Sequence, residues 1–567
     1  MLRYLGYDPE RVGPVHRFGV LGGAAVLAVV LLVVAIGTGS WWWWLLTVVA
    51  VAIAIVGLSD IFQIHHSILR NYPVLGHIRF FFEKIRPEIR QYFIESDQDE
   101  EPFSREDRSI VYQRAKDEEG ARPFGTKKKV YEGGYSWMTH SIAPTHLDRR
   151  DFRVRVGGPD CKQPYDASLY NVSAMSFGSL SGAAVEAINK GAKMGGFSQD
   201  TGEGGISKYH RHGGDLTWEI GSGYFGCRNN ETGRFDPGKF AQQAEDPQVK
   251  MIELKLSQGA KPGHGGMLPA AKITEEIAEA RGVPMGLDCV SPAGHSEFST
   301  PIELCEFLGE LRDLSHGKPV GFKLCIGHRR EFMGIVKAMI ETGIYPDFIV
   351  VDGTEGGTGA APLEFANHVG MPLTEGLSFV HNVLRGADIR DRIRVGAAGK
   401  LIHAFDIARA FALGADWCNS ARGFMFAVGC IQAQACHTNK CPTGVTTQDP
   451  LRQRALVVPE KSERVAAFHR NTMRALAEMT GAAGLEDPRD FLPYHFMKRE
   501  GDGDMVEASD VWTYLPVGFL VRDVGFDDEV FRRRWNRASA TTFKPPDPAG
   551  RTQTRTSAGD DARQSSE

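Results

Sequence analysis

Two uncharged apolar runs stand out near the amino terminus. The first covers Phe18 to Ile36, and the second covers Trp41 to Leu58 after the short break Gly37 to Ser40. Each run is close to the roughly 20 residues that a helix needs to cross a bilayer. Two adjacent runs without a clear small-residue cleavage site favour a transmembrane hairpin over a signal peptide. A buried helical hairpin in a soluble protein is the alternative.

Basic residues on both flanks predict the orientation of this hairpin. Three arginines precede the first run and further basic residues follow the second, whereas the connecting loop carries no charge: Arg3, Arg11, Arg17, then Arg70, Arg79, Lys84 and Arg86. The positive-inside rule places both ends on the cytoplasmic side. We therefore expect a membrane-anchored protein with two transmembrane helices and a cytoplasmic catalytic body.

After residue 150 the pattern changes to short apolar or β-branched runs that alternate with helical periodicity. Eight strands are predicted, at 171–178, 196–200, 251–257, 285–291, 319–327, 348–353, 394–399 and 416–422. Such alternation indicates a parallel sheet. The simplest closure of eight strands in about 300 residues is a (β/α)8 TIM barrel, of class α/β. A doubly wound open sheet is the alternative, although no G-x-G-x-x-G follows the first strand.

Length and charge narrow the classes of function. The chain has 567 residues, a net charge of −5 and no long basic run, which argues against a nucleic-acid partner. Nine cysteines without a disulfide-like spacing favour a reducing compartment. We expect a transmembrane hairpin (1–65), a connecting region (66–150), the barrel (151–480), a C-terminal extension (481–545) and a disordered tail (546–567).

Glycine and small polar residues concentrate directly after the predicted strands, where a TIM barrel carries its active site. The residues concerned are Met175, Ser176, Phe177 and Gly178 after the first strand, Gln258 after the third, Asp352, Gly356, Gly357 and Thr358 after the sixth, Gly399 and Lys400 after the seventh, and Ala421 and Arg422 after the eighth. Backbone amides in the last loops of such a barrel bind phosphate groups. Each loop alone is an ordinary turn, but the ordered set predicts a ligand site.

Three lysines and one glutamate add charge to this end of the predicted barrel. Lys255 lies within a strand and Lys261 in the loop that follows, where they suit a dicarboxylate or the electron-rich edge of a flavin. A lysine that reaches solvent along an apolar surface is the alternative for Lys255. Lys323 lies in the apolar strand GFKLCIG, where a cation would stabilise a reduced flavin. Glu203, in the loop TGEGG, is either a ligand contact or a plain loop carboxylate.

Three cysteines are spaced C-x5-C-x4-C in the stretch from Gly429 to Gln448. They are Cys430, Cys436 and Cys441, and a proline follows the last one. Thiolates at this spacing suit an iron–sulfur cluster or zinc, and buried thiols without a metal are the third possibility. A fourth ligand is not obvious from the sequence, although His437 and Cys418 lie nearby.

These motifs resemble the FMN-binding and synthase domains of the glutamate synthase family. The matching stretches are MSFGSL, TGEGG, KLSQGAKPGHGG, the SP-x-x-H of Ser291 to His295, FKL, DGTEGGTGAAPL and GCIQAQACHTNKCPTGVTTQDP. They run in family order from Met175 to Pro450. The shorter, membrane-anchored members of the family are the most similar.

The resemblance implies a TIM barrel with FMN and a 3Fe-4S cluster held by Cys430, Cys436 and Cys441. It implies reductive amination of 2-oxoglutarate to glutamate, with ammonia as nitrogen source and a ferredoxin-like electron donor. The residues after the strands would contact the flavin, with Gly399, Lys400 and Ala421 near its phosphate. Lys255, Lys261 and Glu203 would be the catalytic residues.

The sequence also departs from the family pattern. The family's glutaminase domain and C-terminal β-helix are expected to be absent, so ammonia would come from solution or from glutamine hydrolysed by a partner. His264 stands where the large enzymes usually carry glutamate, which leaves the oxo acid open. Two other functions compete: an FMN-dependent 2-hydroxy acid oxidase, and a membrane-tethered flavin and iron–sulfur electron-transfer subunit.

Overall fold

The computed structural model describes residues 14–63, 66–96, 101–118, 120, 122–148, 151–501, 503–526 and 528–545. The chain divides into two compact units, one that ends at Glu106 and one that begins at Asp107. The predicted disordered tail at 546–567 lies outside the described residues, as do Arg3 and Arg11 of the predicted hairpin flank.

The first unit is helical. Its helices are α1 (Pro14–Thr38), α2 (Trp41–Phe62), α3 (Ser67–Asn71) and α4 (Leu75–Ile89), and α4 continues into the π-helical turn Arg90–Ile94. Helices α1 and α2 pack closely, because a Cβ at Gly57 would lie 2.7 Å from the Leu21 side chain. Two segments, Phe18–Thr38 and Trp41–Phe62, are long and apolar enough to cross a membrane.

The second unit contains all the described strands. They are β1 (Ser136–Met138), β2 (Arg153–Val156), β3 (Tyr165–Ser168), β4 (Tyr170–Val172), β5 (Gln199–Asp200), β6 (Leu216–Ile220), β7 (Val249–Lys255), β8 (Met267–Leu268), β9 (Cys289–Val290), β10 (Val320–Leu324), β11 (Phe348–Asp352), β12 (Arg394–Ala398), β13 (Trp417–Ser420), β14 (Phe496–Glu500) and β15 (Asp504–Glu507). Eight of them, β4 to β7 and β10 to β13, close into a parallel barrel. The predicted TIM barrel is therefore confirmed.

The helices of this unit include those that connect the barrel strands and those that extend the domain. They are α5 (Arg105–Ala115), α6 (Gly182–Gly195), α7 (Pro237–Ala244), α8 (Glu275–Arg281), α9 (Pro301–Leu314), α10 (Arg329–Thr342), α11 (Leu363–His368), α12 (Leu373–Gly386), α13 (Ala404–Ala412), α14 (Arg422–Ala427), α15 (Pro450–Gln453), α16 (Val458–Ala482), α17 (Ala508–Val511) and α18 (Glu529–Arg537). The extension packs back on the barrel, since Lys337 of α10 lies 5.1 Å from the ring centre of Trp535 in α18.

One of the eight predicted strands is wrong. Met285–Ser291 does not enter the barrel, because only Cys289–Val290 is a strand and it pairs antiparallel with β8. The barrel strand that the sequence did not indicate is β6, which pairs in parallel with β5 and β7. Strand β6 reads LTWEI and is buried along its whole length, so Glu219 interrupts the apolar pattern by which a buried strand is recognised.

Candidate active site

The loops after β4 and β5 meet backbone to backbone at the C-terminal end of the barrel. Gly202 has a φ of +62°, and a Cβ there would lie 2.5 Å from the backbone nitrogen of Ser176. The predicted residues Met175 and Phe177 are buried, while Gly178 turns the chain with a φ of +102°. Only glycine allows this close approach, so TGEGG holds the loop after β4 against the barrel mouth.

Glu203 and Lys255 form an ion pair at the same end of the barrel. Lys255 is the last residue of β7, and its Nζ lies 3.1 Å from Oε2 of Glu203. The Lys255 ammonium also donates to Oε1 of Gln258 at 3.2 Å. The side chains of Lys255 and Glu203 are only 12% and 16% exposed. Two predicted catalytic residues and one predicted flavin contact are thus brought together.

The surroundings of this pair keep both partners charged. Burial raises the pKa of Glu203, but the Lys255 and Arg281 cations outweigh burial and hold the pKa below its ordinary value. Burial likewise lowers the pKa of Lys255, and the carboxylates of Glu203 and Glu219 bring it above its ordinary value. A carboxylate and an ammonium are therefore both available at neutral pH.

His295 contacts the backbone of Lys255 and the side chain of Tyr224. One ring nitrogen, Nε2, lies 2.8 Å from the backbone oxygen of Lys255, and Nδ1 lies 3.0 Å from the hydroxyl of Tyr224. Burial lowers the pKa of His295 to about 4, so the ring is neutral at pH 7. His295 belongs to the family stretch SP-x-x-H, yet it is not among the predicted site residues. The SP-x-x-H stretch was the sequence feature that could have indicated His295 as a site residue.

Arg281 is a second residue that the sequence did not indicate. It lies at the end of α8, and its guanidinium donates to the Ser176 hydroxyl at 3.3 Å and to the Phe177 backbone oxygen at 3.1 Å. Arg281 also lines a separate polar cleft of about 470 Å³ with Phe177, Lys208 and Arg228. Helix α8 lies in the long connection between β7 and α9, and no sequence motif around Arg281 indicates that it is a site residue.

Lys261 and His264 occupy different environments within the loop QGAKPGHGG. Lys261 is buried, its Nζ donates to the backbone oxygen of Ala360 at 3.2 Å, and burial lowers its pKa. This bond ties the loop after β7 to the loop after β11. His264 is exposed and its ring meets that of Phe365 edge-on at 5.2 Å.

Lys323 lies in a buried cluster of carboxyl groups inside the barrel. Its ammonium pairs with Glu219 and, at 2.9 Å, with Glu253. Oxygens of Asp200, Glu219 and Glu253 lie within 4.8 Å of one another. Burial raises the pKa of Asp200 well above its ordinary range, and Glu253 adds to the rise. A proton on Asp200 therefore allows three carboxyl groups to share one ammonium.

The glycine-rich loops after β11, β12 and β13 lie side by side. Asp352 accepts a hydrogen bond from Gly259 at 2.7 Å, and Gly357 and Thr358 are exposed beyond it. Arg422, which opens α14 directly after Ala421, donates to the Glu355 backbone oxygen at 2.6 Å. Its guanidinium would lie 2.9 Å from a Cβ at Gly357. In the loop after β12, Lys400 follows Gly399 with a φ of +50°.

The three predicted metal ligands line one small cavity. Cys430, Cys436 and Cys441 all contribute to its wall. Burial raises the pKa of the Cys430 thiol to about 12. Burial also raises that of Cys441, but hydrogen bonds from Thr446 and Thr443 outweigh it and bring the pKa to about 7. Cys418 is fully buried in β13.

Comparison with known proteins places the chain in a family. Residues 163–486 match the profile of the conserved region in glutamate synthase. The glutamate synthase large subunit-like protein YerD of Bacillus subtilis is 38% identical over 503 residues, which are 81% of this chain and 95% of YerD. An archaeal-type NADPH glutamate synthase of Thermotoga neapolitana is 34% identical over 315 residues, which are 55% of this chain and 59% of that protein.

Solved structures add little to this assignment. A flavocytochrome b2 mutant covers 75% of this chain with a TM-score of 0.37 and 12% identity, too low to bear on function. A further relative by sequence, an archaeal NADPH glutamate synthase of Methanocaldococcus jannaschii, is 32% identical over 364 residues, which are 64% of this chain and 67% of that protein. Because the family profile matches more than half of the chain, the chain belongs to the glutamate synthase family of oxidoreductases.

Proposed function

We propose that this protein is an FMN-dependent enzyme that makes glutamate from 2-oxoglutarate and ammonia. The observation that carries the proposal is the charged pair of Glu203 and Lys255, which lies with Gln258 at the barrel end where TIM-barrel enzymes react. Membership of the chain in the glutamate synthase family favours this reaction over the oxidation of a 2-hydroxy acid.

The loops at the barrel mouth fit FMN. A Cβ at Gly259 would lie 1.9 Å from the backbone oxygen of Gly353, so these loops pack as bare backbone. The exposed backbone of Gly357 beside the Arg422 guanidinium supplies the amides and positive charge that a phosphate requires. Gly399, Lys400 and Ala421 belong to the neighbouring loops, in keeping with a phosphate site there.

Bound FMN would supply the hydride that reduces the imine of 2-oxoglutarate to glutamate. The chain's own residues would hold the substrate and handle protons. Ammonia adds to the carbonyl carbon and water leaves, so a group must take a proton from ammonium and give one to the departing oxygen. We assign both tasks to Glu203, whose carboxylate takes the proton from ammonium and returns it to the hydroxyl that leaves as water, and we assign substrate-carboxylate binding to Lys255 and Lys261.

We further propose a 3Fe-4S cluster at the cysteine cavity. A structural zinc site usually takes four protein ligands. Three thiols line this cavity, those of Cys430, Cys436 and Cys441, which favours a cluster held by three cysteines. Neither Cys418 nor His437 lines the cavity, so neither is placed as a fourth ligand.

The electron donor and the membrane anchor are also proposals. A ferredoxin-like protein would deliver electrons through the cluster, since no nicotinamide fingerprint is present. Helices α1 and α2 would span the membrane with the catalytic unit in the cytoplasm, because side chains such as Val26 and Ile55 are 67% and 62% exposed. Reduced ferredoxin and NADPH, compared as donors to the purified protein, separate the two electron sources.

Flavin absorbance under anaerobic conditions tests the reaction. The reduced holoprotein should be reoxidised only when 2-oxoglutarate and ammonium are both added, with one glutamate formed per flavin. Each compound alone is the control. Failure of reoxidation with flavin and cluster both bound would contradict the proposal and favour another oxo acid or an electron-transfer role.

A further inference from the structure

Helix α4 carries an exposed apolar stripe. Leu75, Ile78, Phe82, Ile85 and Ile89 recur every three or four residues and so share one face of the helix. Ile78 is 53% exposed and Phe82 is 55% exposed, whereas Ile85 and Ile89 are half-buried. A soluble helix normally turns such a stripe into a core, so this face requires a partner.

The stripe continues past the end of the helix. The π-helical turn Arg90–Ile94 adds Tyr92, Phe93 and Ile94, which are 60%, 85% and 72% exposed. Phe81, at 57%, widens the stripe beside Phe82. Aromatic side chains at this density are typical of segments that lie at the boundary between headgroups and acyl chains.

Basic residues border the same segment. Between Leu75 and Glu95 there are four cationic side chains and three acidic ones: Arg79, Lys84, Arg86 and Arg90, against Glu83, Glu88 and Glu95, and Arg90 is paired with Glu95 at 2.8 Å. Arg79 is paired with Glu83 at 2.9 Å on the polar side of the helix. An apolar stripe with a net positive border complements an anionic lipid surface better than it complements a protein core.

The start of α4 is held at the end of α2. Asp60, in the last turn of α2, is buried and accepts a hydrogen bond from the backbone nitrogen of Val74 at 2.9 Å. Its carboxylate also lies 2.8 Å from Nε2 of His77, in the first turn of α4. A helix that spans the membrane ends at the lipid headgroups, so these contacts of Asp60 place the beginning of α4 at the level of the headgroups.

We infer that α4 and the turn after it lie on the cytoplasmic face of the membrane, with the apolar stripe among anionic lipids. This rests on the proposed membrane anchor and adds an interfacial contact to it. This contact would hold the chain at the lipid surface directly after α2 leaves the membrane. Asp60 connects the end of α2 to the start of α4 through its contacts with Val74 and His77.

Photo-crosslinking of the full chain in phosphatidylserine-containing nanodiscs tests this inference. The photoreactive residue p-benzoylphenylalanine replaces Phe82 on the stripe, Glu83 on the polar side, or Val48 within α2. We expect lipid adducts from positions 48 and 82 and at least fivefold fewer from 83. We also expect the yield at 82 to fall at least twofold in neutral phosphatidylcholine discs or with Arg86→Glu.

The outcomes separate this inference from the anchor itself. Adducts at position 48 without adducts at 82 would overturn the interfacial helix and leave the anchor standing. Crosslinks from 82 to residues 107–567, or to a second copy of the chain, would overturn it in favour of a protein partner. Absence of adducts at 48 would overturn the anchor and the inference together, and an equal yield in neutral discs would overturn the role of anionic lipid.

Discussion

The side chain of Gln448 is hydrogen-bonded to the backbone of Gly178, although 270 residues separate them. Its Nε2 donates to the oxygen of Gly178 at 3.1 Å and to that of Leu180 at 2.9 Å. Lys272 adds a parallel link, since its Nζ lies 3.0 Å from the Ser179 oxygen and 3.3 Å from the Cys436 oxygen. The cysteine segment is therefore fastened to the loop after β4, which carries predicted flavin contacts.

Replacement of Gln448 by leucine should loosen this fastening. The buried Gly178 carbonyl would lose its donor, at a cost of about 1–3 kcal/mol, whereas the Leu180 oxygen would keep its hydrogen bond from the Gly178 backbone nitrogen. We expect a lower unfolding temperature and a lower iron content per chain, both measured on the purified protein. Gln242→Leu, an exposed position on α7, is the matched control. Equal iron content in the two variants would argue against a positioning role for Gln448.

Removal of the charged pair should reduce turnover strongly. A residue that transfers a proton in the rate-limiting step contributes about 10²- to 10⁴-fold, so turnover of Glu203→Gln should fall within that range. Lys255→Met removes the proposed contact to the substrate carboxylate, so it should also raise the KM for 2-oxoglutarate. Because the two groups act on each other, the double variant should lose less than the product of the single losses. Glu276→Gln removes a carboxylate from an exposed pair with Lys208 and is the control. Turnover close to wild type in Glu203→Gln would exclude this carboxylate as the base.

Cys436→Ser should deplete iron and labile sulfide while FMN remains bound. The serine hydroxyl is a far weaker ligand than a thiolate, whereas the proposed flavin loops lie on other segments of the chain. Iron, sulfide and flavin are each measured per chain. Cys161→Ser, in the turn between β2 and β3, should retain all three. Full iron with normal turnover in Cys436→Ser would exclude this cysteine as a ligand.

Lys323→Met should destabilise the barrel. The variant leaves Glu219 and Glu253 buried without their cation, and loss of one partner of a buried ion pair costs about 3–5 kcal/mol. Denaturant unfolding of the solubilised protein measures the loss. Lys250→Met, a half-exposed lysine 3.9 Å from Asp215, should change stability little. An unchanged unfolding midpoint for Lys323→Met would contradict the structural role of this lysine.

His469 should make folding sensitive to acid. Its ring is buried, stacks on Phe197 at 4.1 Å, and burial lowers its pKa to about 3. The unfolded chain binds a proton near pH 6.5 and the folded chain does not, so stability is present above pH 6.5 and falls as the pH drops towards 3. The slope is about 1.4 kcal/mol per pH unit for this histidine.

Unfolding temperatures between pH 6.5 and 4.5 measure this effect. His469→Gln removes the titrating ring, so its stability should fall less steeply with decreasing pH than that of the wild type. His264→Gln replaces an exposed histidine and should keep the wild-type slope. The same slope in all three proteins would show that His469 does not set the acid sensitivity.

Local patterns were enough to predict the barrel, the two apolar helices and the cysteine segment. Strand and helix periodicities are read within a few residues, and glycine after a strand is likewise a local signal. The three cysteines lie within a stretch of twelve residues, so few contacts between distant segments are needed to bring them into one cavity.

Contacts between distant segments were decided only by the tertiary structure. Strand β6 was missed because a buried glutamate is tolerated there only through Lys323, 104 residues further along. The apolar run at Met285–Ser291 looked like a barrel strand, yet its partner is β8. Arg281 and His295 reach Ser176 and Lys255 across loops of the closed barrel, and no periodicity encodes such pairings. The sequence alone thus determined the fold class, most of the elements and which side chains they carry. Barrel closure determined which charges face one another, because burial makes each charge depend on partners that the chain order does not reveal.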